Sequence, residues 1–190
     1  MDTKIRCSWC AGNELHISYH DKEWGKEVTD DKILFEFLIL ESAQAGLSWN
    51  TILQKREGYR NAFAQFDVKK VARFTAEDVS RLMEDSGIVR NRLKIQSSSS
   101  NAQLFMAVQQ EFGSFNNYLR TFFPEEKRIV NHWKLIREVP TSTLISDAIS
   151  KDMKKRGFKF MGTTICYAYL QAVGLVDDHL VDCFCRTELK

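Results

Sequence analysis

The sequence has little proline and almost no charge imbalance. Only two of its 190 residues are proline, and its 27 basic and 25 acidic side chains leave a formal net charge of +2. A net charge so close to zero gives no indication of a nucleic-acid partner. Hydrophobic residues make up 44% of the chain and aromatic residues 12%. The chain can therefore bury a substantial core, and extensive disorder is excluded.

Long apolar runs are also missing. The longest, residues 33–40, is interrupted by Glu36 and is far too short to span a bilayer. The first ten residues contain no apolar core of the kind that a signal peptide needs. We therefore expect a cytoplasmic protein without membrane contact. Its size and composition suit one globular domain over residues 1–190 or two small lobes, and we expect a monomer.

Alternation of apolar and polar residues, the signature of a half-buried strand, does not extend far enough to form a sheet. Helical spacing recurs instead, so the fold class is expected to be all-α. A helix-hairpin-helix is predicted at about 75–110, where Thr75 and Asp78 form a capping-box pattern before a tight turn at 86–89. Segment 124–140 is the best candidate for an irregular connection. Further helices are predicted over 31–45, 51–63, 114–122, 142–156 and 163–173.

The five cysteines are odd in number, and an unexported chain of this length does not need disulfides to fold. They are Cys7, Cys10, Cys166, Cys183 and Cys185. One alternative is that they are simply buried thiols. A second treats Cys7-x-x-Cys10 as a redox pair, although the strand-helix-strand context usual for that motif is missing.

The third interpretation is a metal site that joins the two ends of the chain. Cys7-x-x-Cys10 and His179-x-x-x-Cys183-x-Cys185 have spacings that allow each pair to ligate one Zn²⁺, and His20 lies near the first motif in the sequence. Four protein ligands would close the coordination shell and make the zinc structural. The spacing leaves more candidate ligands than positions.

One carboxylate is misplaced in the helix predicted at 31–45. Glu36 lies one turn after Lys32, and this pair marks the expected solvent face. Glu41 lies about 140° around the helix from Glu36 and one turn after Phe37, so it should point toward the apolar side. A carboxylate there is costly without a partner, which is either a buried cation or a ligand.

Aromatic residues are concentrated in the first 49 positions. Trp9, Tyr19, Trp24 and Trp49 lie there together with His16. Core packing is the simpler explanation, but aromatic side chains beside a lone carboxylate also suit a flat, cationic ligand.

Two segments could contact a nucleic acid. Gly87 lies in the predicted turn before Arg90, Arg92 and Lys94, where free backbone N–H groups could hold a phosphate. Residues 151–159 carry five basic side chains and one acidic one. Cations at the end of a helix are also explained by the helix dipole.

Five stretches taken together resemble the 3-methyladenine DNA glycosylase I family of bacteria. They are Cys7-Ser-Trp9, Tyr19-His-Asp-Lys-Glu-Trp-Gly25, Leu40-Glu-Ser-Ala-Gln-Ala-Gly-Leu-Ser-Trp49, Gly157-Phe-Lys-Phe-Met-Gly-Thr-Thr-Ile-Cys-Tyr167 and Gly174-Leu-Val-Asp-Asp-His179. The resemblance runs in order from about residue 6 to residue 185. It implies the helix-hairpin-helix DNA glycosylase fold with a structural zinc, double-stranded alkylated DNA as partner, and hydrolytic release of 3-methyladenine.

The resemblance also implies roles for individual residues. The implied zinc ligands are Cys7, His20, His179 and Cys183. The implied base pocket contains Glu41, Tyr19 and Trp49, with Trp9 and Trp24 as walls and His16 where the family usually has tyrosine. Gly46 and Leu47 match the segment that fills the gap left by the extruded base.

The mechanism expected from this resemblance relies on the lesion. N3-methyladenine is cationic, so cleavage of its glycosidic bond releases a neutral base. Residues 86–146 contain no aspartate that could act in catalysis. Glu41 is expected to act through the adenine edge, water is the nucleophile, and no lysine in the pocket motifs could support a lyase step. The alternative is a non-catalytic, zinc-stapled helical DNA-binding module.

Overall fold

The computed structural model describes residues 4–187, and this part of the chain is mainly helical. The α-helices are α1 (Glu14–Lys22), α2 (Asp31–Gln44), α3 (Trp49–Ala62), α4 (Val68–Val71), α5 (Ala76–Glu84), α6 (Arg92–Phe112), α7 (Phe115–Arg120), α8 (Leu144–Arg156) and α9 (Thr163–Ala172). Two-residue strands β1 (Ile129–Val130) and β2 (Val176–Asp177) pair in parallel. The prediction of a mostly helical chain is confirmed.

Side-chain caps place most helix starts where the sequence predicted them. Asp30 accepts hydrogen bonds from Lys32 N and Ile33 N at the start of α2. Thr75 and Asp78 form the predicted reciprocal capping box at α5. The predictions omitted α1, which begins where Asn13 accepts hydrogen bonds from the N–H groups of Leu15 and His16.

Helix α2 runs through the centre of the protein, and every residue in 34–43 is buried. The expectation that Glu36 marks a solvent face is therefore wrong. Glu36 is 8% exposed, and its Oε1 accepts hydrogen bonds from Arg56 Nε at 2.7 Å and Arg60 Nη2 at 3.1 Å. Helix α3 packs over this side of α2 and supplies the cations that make the burial of Glu36 possible.

Helices α5 and α6 follow each other where a helix-hairpin-helix was predicted, and the turn between them is fixed on α3. A Cβ atom on Gly58 would lie 2.1 Å from Gly87 O, so only glycine permits this approach. Lys55 Nζ donates to Ser86 O at 2.6 Å, and Tyr59 OH accepts from Val89 N at 3.2 Å. The turn is therefore held by three contacts with α3, at Lys55, Gly58 and Tyr59.

The chain between α7 and α8 is irregular, as predicted, apart from β1 and two short 3₁₀ turns. This segment brings β1 beside β2. Farther along it, the carbonyl of Trp133 accepts a hydrogen bond from Val181 N in the C-terminal segment. Phe184 N donates to Ile5 O at 3.0 Å, which joins the N- and C-terminal segments. Within residues 4–187, no helix has the length and apolar character needed to cross a membrane.

Candidate functional site

The structure brings four of the aromatic residues singled out in the sequence to one pocket of about 250 Å³. Helices α1, α2, α3 and α9 contribute to its walls, together with the irregular connection after β1. The lining residues are Trp9, Tyr19, Trp24, Glu41, Gln44, Trp49, Ile136, Val139, Ala168 and Gln171. The aromatic residues and Glu41 therefore form one site.

The aromatic rings of the pocket contact each other in tilted and edge-to-face pairs. The Tyr19 and Trp49 ring centroids are 5.2 Å apart, and those of Trp9 and Trp24 are 5.1 Å apart. The Nε1 atoms of Trp9 and Trp49 are buried and have no hydrogen-bond partner among the described residues. The aromatic faces suit a planar ring, and the unused N–H donors leave polar contacts open for it.

Glu41 is the polar centre of the pocket. Its side chain belongs to a residue that is 3% exposed, and its Oε2 atom has no hydrogen-bond partner in the described part of the chain. Burial raises the pKa of Glu41 to about 8. An unpaired buried carboxyl is expensive to the fold, so its presence indicates a ligand that supplies the missing partner.

His16, which was predicted to bind the base, is not among the residues that line the pocket. It lies on α1 beside Trp9, with a centroid distance of 6.0 Å between the two rings. Its Nε2 atom is buried and has no partner among residues 4–187. Trp9 is itself a lining residue, so His16 contacts the wall of the pocket, and its role in binding the base stays a prediction.

Gly46 and Leu47 form an exposed loop two residues after Gln44, which lines the pocket at the end of α2. Gly46 has a φ of +78°, a conformation that favours glycine. Lys94 was predicted to contact DNA, but its Nζ donates to Ala43 O at 2.8 Å and Ala45 O at 2.5 Å. Lys94 therefore caps the last carbonyls of α2 and supports this loop instead.

The hairpin turn also differs from expectation. Gly87 N donates to Asp85 Oδ1 at 2.7 Å, and Val89 N donates to Tyr59 OH, so neither N–H is free for a phosphate. The prediction of phosphate binding by the Gly87 N–H is wrong because Asp85 closes the turn on itself. Arg90 and Arg92 are exposed. In the second basic segment, Arg156 is already paired with Glu111 and Asp152.

A cluster of sulfur and imidazole groups lies beside the pocket, where the two ends of the chain meet. One ligand atom from each of four residues lies within 4.8 Å of the others, and these residues are His20, His179, Cys183 and Cys185. His20 Nδ1 is 2.8 Å from Asp21 Oδ1, and His179 Nδ1 is 2.8 Å from Asp177 Oδ1. Carboxylates at both Nδ1 atoms turn both Nε2 atoms toward the thiols; His179 Nε2 has no partner among the described residues, and His20 Nε2 accepts a long hydrogen bond of 3.4 Å from Cys7 N.

Cys7 contacts the same cluster from the side of the Nε2 atoms. Its Sγ accepts from Leu180 N at 3.4 Å, while Cys183 Sγ lies 3.4 Å from His20 Nε2. A hydrogen bond between the Cys7 and Cys183 sulfurs lowers the pKa of Cys183 and raises the pKa of Cys7. Cys185 Sγ lies on the other side, 4.0 Å from His20 Nδ1.

The fit of a metal is best judged from His179. Its Nε2 atom is buried and has no partner among the described residues. Gly25 allows this ring position, because a Cβ there would lie 2.6 Å from His179 Cε1. Cys10 Sγ donates to Cys7 O at 3.1 Å, away from a ligand position. The donor set of thiol and imidazole groups is one that zinc prefers.

Sequence reasoning missed the residues that hold the site in place. Asp21 and Asp177 orient the two histidines, and each lies within two positions of its histidine in the sequence. Asp178 and Gln171 hold one wall of the pocket through a hydrogen bond of 2.7 Å. The Asp-Asp-His sequence at 177–179 was a signal for the first role, because metal-binding histidines commonly have carboxylate partners.

Comparison with known proteins agrees with this geometry. The methyladenine glycosylase family pattern matches residues 9–186. DNA-3-methyladenine glycosylase of Haemophilus influenzae is 49% identical over 182 residues, which cover 96% of this chain and 98% of that protein. DNA-3-methyladenine glycosylase 1 of Escherichia coli K12 is 51% identical over 180 residues, which cover 95% of this chain and 96% of that protein.

Solved structures of similar proteins have the same fold. The structure of 3-methyladenine DNA glycosylase I from Staphylococcus aureus, determined for its recognition of 3-methyladenine, superposes with a TM-score of 0.93 at 37% identity and covers 97% of this chain and 98% of that one. A tyrosine-to-phenylalanine variant of 3-methyladenine DNA glycosylase I in complex with 3-methyladenine also superposes with a TM-score of 0.93. It is 36% identical, and the match covers 97% of this chain and 99% of that one. On its sequence and its fold, this chain belongs to the methyladenine glycosylase family.

Proposed function

We propose that this chain is a base-excision repair DNA glycosylase that hydrolyses the N-glycosidic bond of N3-methyladenine in alkylated DNA. The single observation that carries the proposal is Glu41, a buried carboxyl with an unpaired oxygen in a pocket of aromatic rings. The products are free 3-methyladenine and an abasic site. The enzyme acts on a base turned out of the duplex, because the pocket can enclose only an unstacked ring.

Recognition follows from the charge of the lesion. The ring of N3-methyladenine is cationic in DNA, and its amino hydrogens are strong hydrogen-bond donors. Trp49 and Tyr19 present aromatic faces to this cation, and Glu41 accepts from the adenine edge. A cation beside Glu41 favours the ionised carboxylate, so the lesion supplies the partner that the free protein lacks. Normal adenine has no such charge and binds less well.

Bond cleavage relies on the instability of the methylated nucleoside. Departure of a neutral base needs no strong general acid, and water attacks the sugar carbon that the base leaves. Among the residues that line the pocket there is no lysine, so the enzyme is expected to have no lyase activity. Glu41 acts as the catalytic residue by holding the base in the geometry from which it leaves.

Contact with double-stranded DNA is assigned to two neighbouring surfaces. Leu47, which is 41% exposed, and Gly46 would enter the gap left by the extruded base. Arg90, Arg92 and the first turn of α6 would bind the phosphate backbone, as in a helix-hairpin-helix protein. The Lys94 contacts to α2 connect these two surfaces.

The cysteine and histidine cluster is assigned to one structural Zn²⁺. The proposed ligands are Cys7, His20, His179 and Cys183. Both histidines contact carboxylates through Nδ1, Cys183 Sγ lies 3.4 Å from His20 Nε2, and Cys7 Sγ accepts from Leu180 N next to His179. Four protein ligands leave no position for a substrate, so the metal holds the chain ends together. Cys7→Ser should lose zinc, whereas Cys185→Ser should retain one zinc per chain by metal analysis.

The test of the proposed function is the release of bases from methylated duplex DNA. The protein should release 3-methyladenine, identified by chromatography, and leave alkali-labile sites. A non-catalytic DNA-binding module keeps the zinc and the basic surface but releases no base. That result would overturn the proposal, and it would leave the unpaired Glu41 without a role.

A further inference from the structure

Asp178 is a fully buried carboxylate whose two oxygens each accept two hydrogen bonds. Oδ1 accepts from Asn131 Nδ2 and from Trp133 Nε1, both at 2.7 Å. Oδ2 accepts from Tyr167 OH at 2.5 Å and from Gln171 Nε2 at 2.7 Å. These four donors compensate for the removal of the charge from water.

This network fixes which way the amide of Gln171 points. An ionised carboxylate can only accept, so the Gln171 amide must present its NH₂ group to Asp178. The alternative orientation would place two acceptor oxygens against each other. Tyr167 lies one turn before Gln171 on α9 and gives its only hydrogen to the same Oδ2 atom. The Gln171 amide is therefore locked.

The remaining atom of that amide, Oε1, has no hydrogen-bond donor among the described residues, and Gln171 lines the base pocket. The pocket thus contains an obligatory acceptor of fixed orientation in addition to Glu41. Gln44 also lines the pocket, but no described residue holds its amide, which can rotate to present either a donor or an acceptor.

We propose that Gln171, locked by Asp178, is a specificity-determining residue that accepts a hydrogen bond from the exocyclic amino group of 3-methyladenine and disfavours 3-methylguanine. The two bases differ at this position, because adenine carries an amino donor and guanine a carbonyl acceptor. The cationic adenine ring strengthens the donor, whereas the guanine oxygen would face the lone pairs of Oε1. This inference rests on the proposed function of the same pocket.

The experiment compares single-turnover release of 3-methyladenine and 3-methylguanine from methylated duplex DNA. Gln171→Met keeps the length of the side chain and removes the acceptor. We expect its release of 3-methyladenine to fall by about 10- to 100-fold and the ratio of adenine to guanine release to fall at least tenfold. Gln44→Met is the matched control, and its ratio should stay within twofold of wild type because a rotatable amide does not select.

Binding of free 3-methyladenine, followed by tryptophan fluorescence, gives a second readout that does not depend on guanine release. Gln171→Met should weaken this binding at least fivefold. Asp178→Asn, whose side-chain NH₂ can donate to the Oε1 of a flipped Gln171 amide, should shift both readouts in the same direction. Unchanged ratio and affinity in a folded Gln171→Met protein would overturn the inference and leave the proposed function standing. Absence of 3-methyladenine release by the wild type would instead overturn the proposed function itself.

Discussion

Asp178 and Glu41 are both buried carboxylates near one pocket, and their surroundings differ completely. Asp178 accepts four hydrogen bonds from two parts of the chain, the irregular connection after β1 and helix α9. Glu41 has one oxygen without any partner among the described residues. The protein supplies every donor to Asp178 and omits a donor to Glu41 in the proposed base pocket. A buried carboxylate oxygen without a partner is what a ligand site would leave.

The same contrast applies to the metal cluster. His179 gives Nδ1 to Asp177, but its Nε2 atom has no partner in the described part of the chain. The His179 imidazole therefore has a hydrogen-bond partner at Nδ1 and none at Nε2 among the described residues. Both regions with open atoms are assigned ligands, which are the methylated base and zinc.

Loss of zinc should have the largest effect on stability. Removing the metal through Cys183→Ser separates the chain ends and should lower the free energy of unfolding by more than about 5 kcal/mol. Zinc content and urea denaturation measure this together. Cys166→Ser is the control, because this thiol is buried away from the cluster near Met161 O. Retention of a full zinc equivalent by Cys183→Ser would contradict the assignment.

Loss of the hydrogen bonds to Asp178 should have the second-largest effect on stability. Asp178→Ala leaves donors from Asn131, Trp133, Tyr167 and Gln171 without their acceptor, and we expect a loss of about 4 to 5 kcal/mol in urea denaturation. Glu84→Ala, at an exposed position, should change stability by less than about 0.5 kcal/mol. Similar losses of stability for the two variants would mean that the hydrogen bonds to Asp178 do not stabilise the fold.

Glu41 should destabilise the free protein as the pH rises. Burial raises the pKa of Glu41 from the ordinary 4.5 to about 8. The stability that the neutral carboxyl contributes is therefore fully present below pH 4.5 and is lost as the pH rises through 8. Glu41→Gln does not titrate. The variant should therefore gain stability relative to wild type as the pH rises from 4.5 to 8, and the gain should reach roughly 5 kcal/mol at pH 9. A pH-independent difference would show that Glu41 is not buried and unpaired.

The exposed arginines of the hairpin should have the smallest effect. Arg92→Ala should weaken binding of undamaged duplex DNA several-fold and reduce the slope of log K against log salt by about 1. Arg73→Ala, an exposed position outside the hairpin, should leave both unchanged. Equal effects of the two substitutions, measured by fluorescence anisotropy, would remove the hairpin from the DNA-binding surface.

Local features of the fold could be predicted because they depend on neighbours in the sequence. The caps of Asp30 and Thr75 act over two or three residues, and both are present. The burial of Glu41 followed from helical periodicity, but that of Glu36 did not, because its cations come from α3. Gly87 was misjudged for a local reason, since Asp85 occupies the N–H that the turn was expected to offer.

The supporting residues of the site could not be predicted in the same way. The partners of Asp178 come from positions 131, 133, 167 and 171, and only the folded chain brings them together. Sequence resemblance indicated the aromatic residues and Glu41, which do share one pocket. It also indicated His16, whose ring lies beside that of Trp9 in the pocket wall.

The most direct test of the central claim is to measure excision and stability in the same Glu41→Gln protein. If Glu41 is left unpaired in order to bind the base, the variant should release 3-methyladenine from methylated DNA at least tenfold more slowly than wild type. At pH 9 the same variant should be more resistant to urea. A variant that excises 3-methyladenine at the wild-type rate, or that loses stability along with activity, would contradict this account.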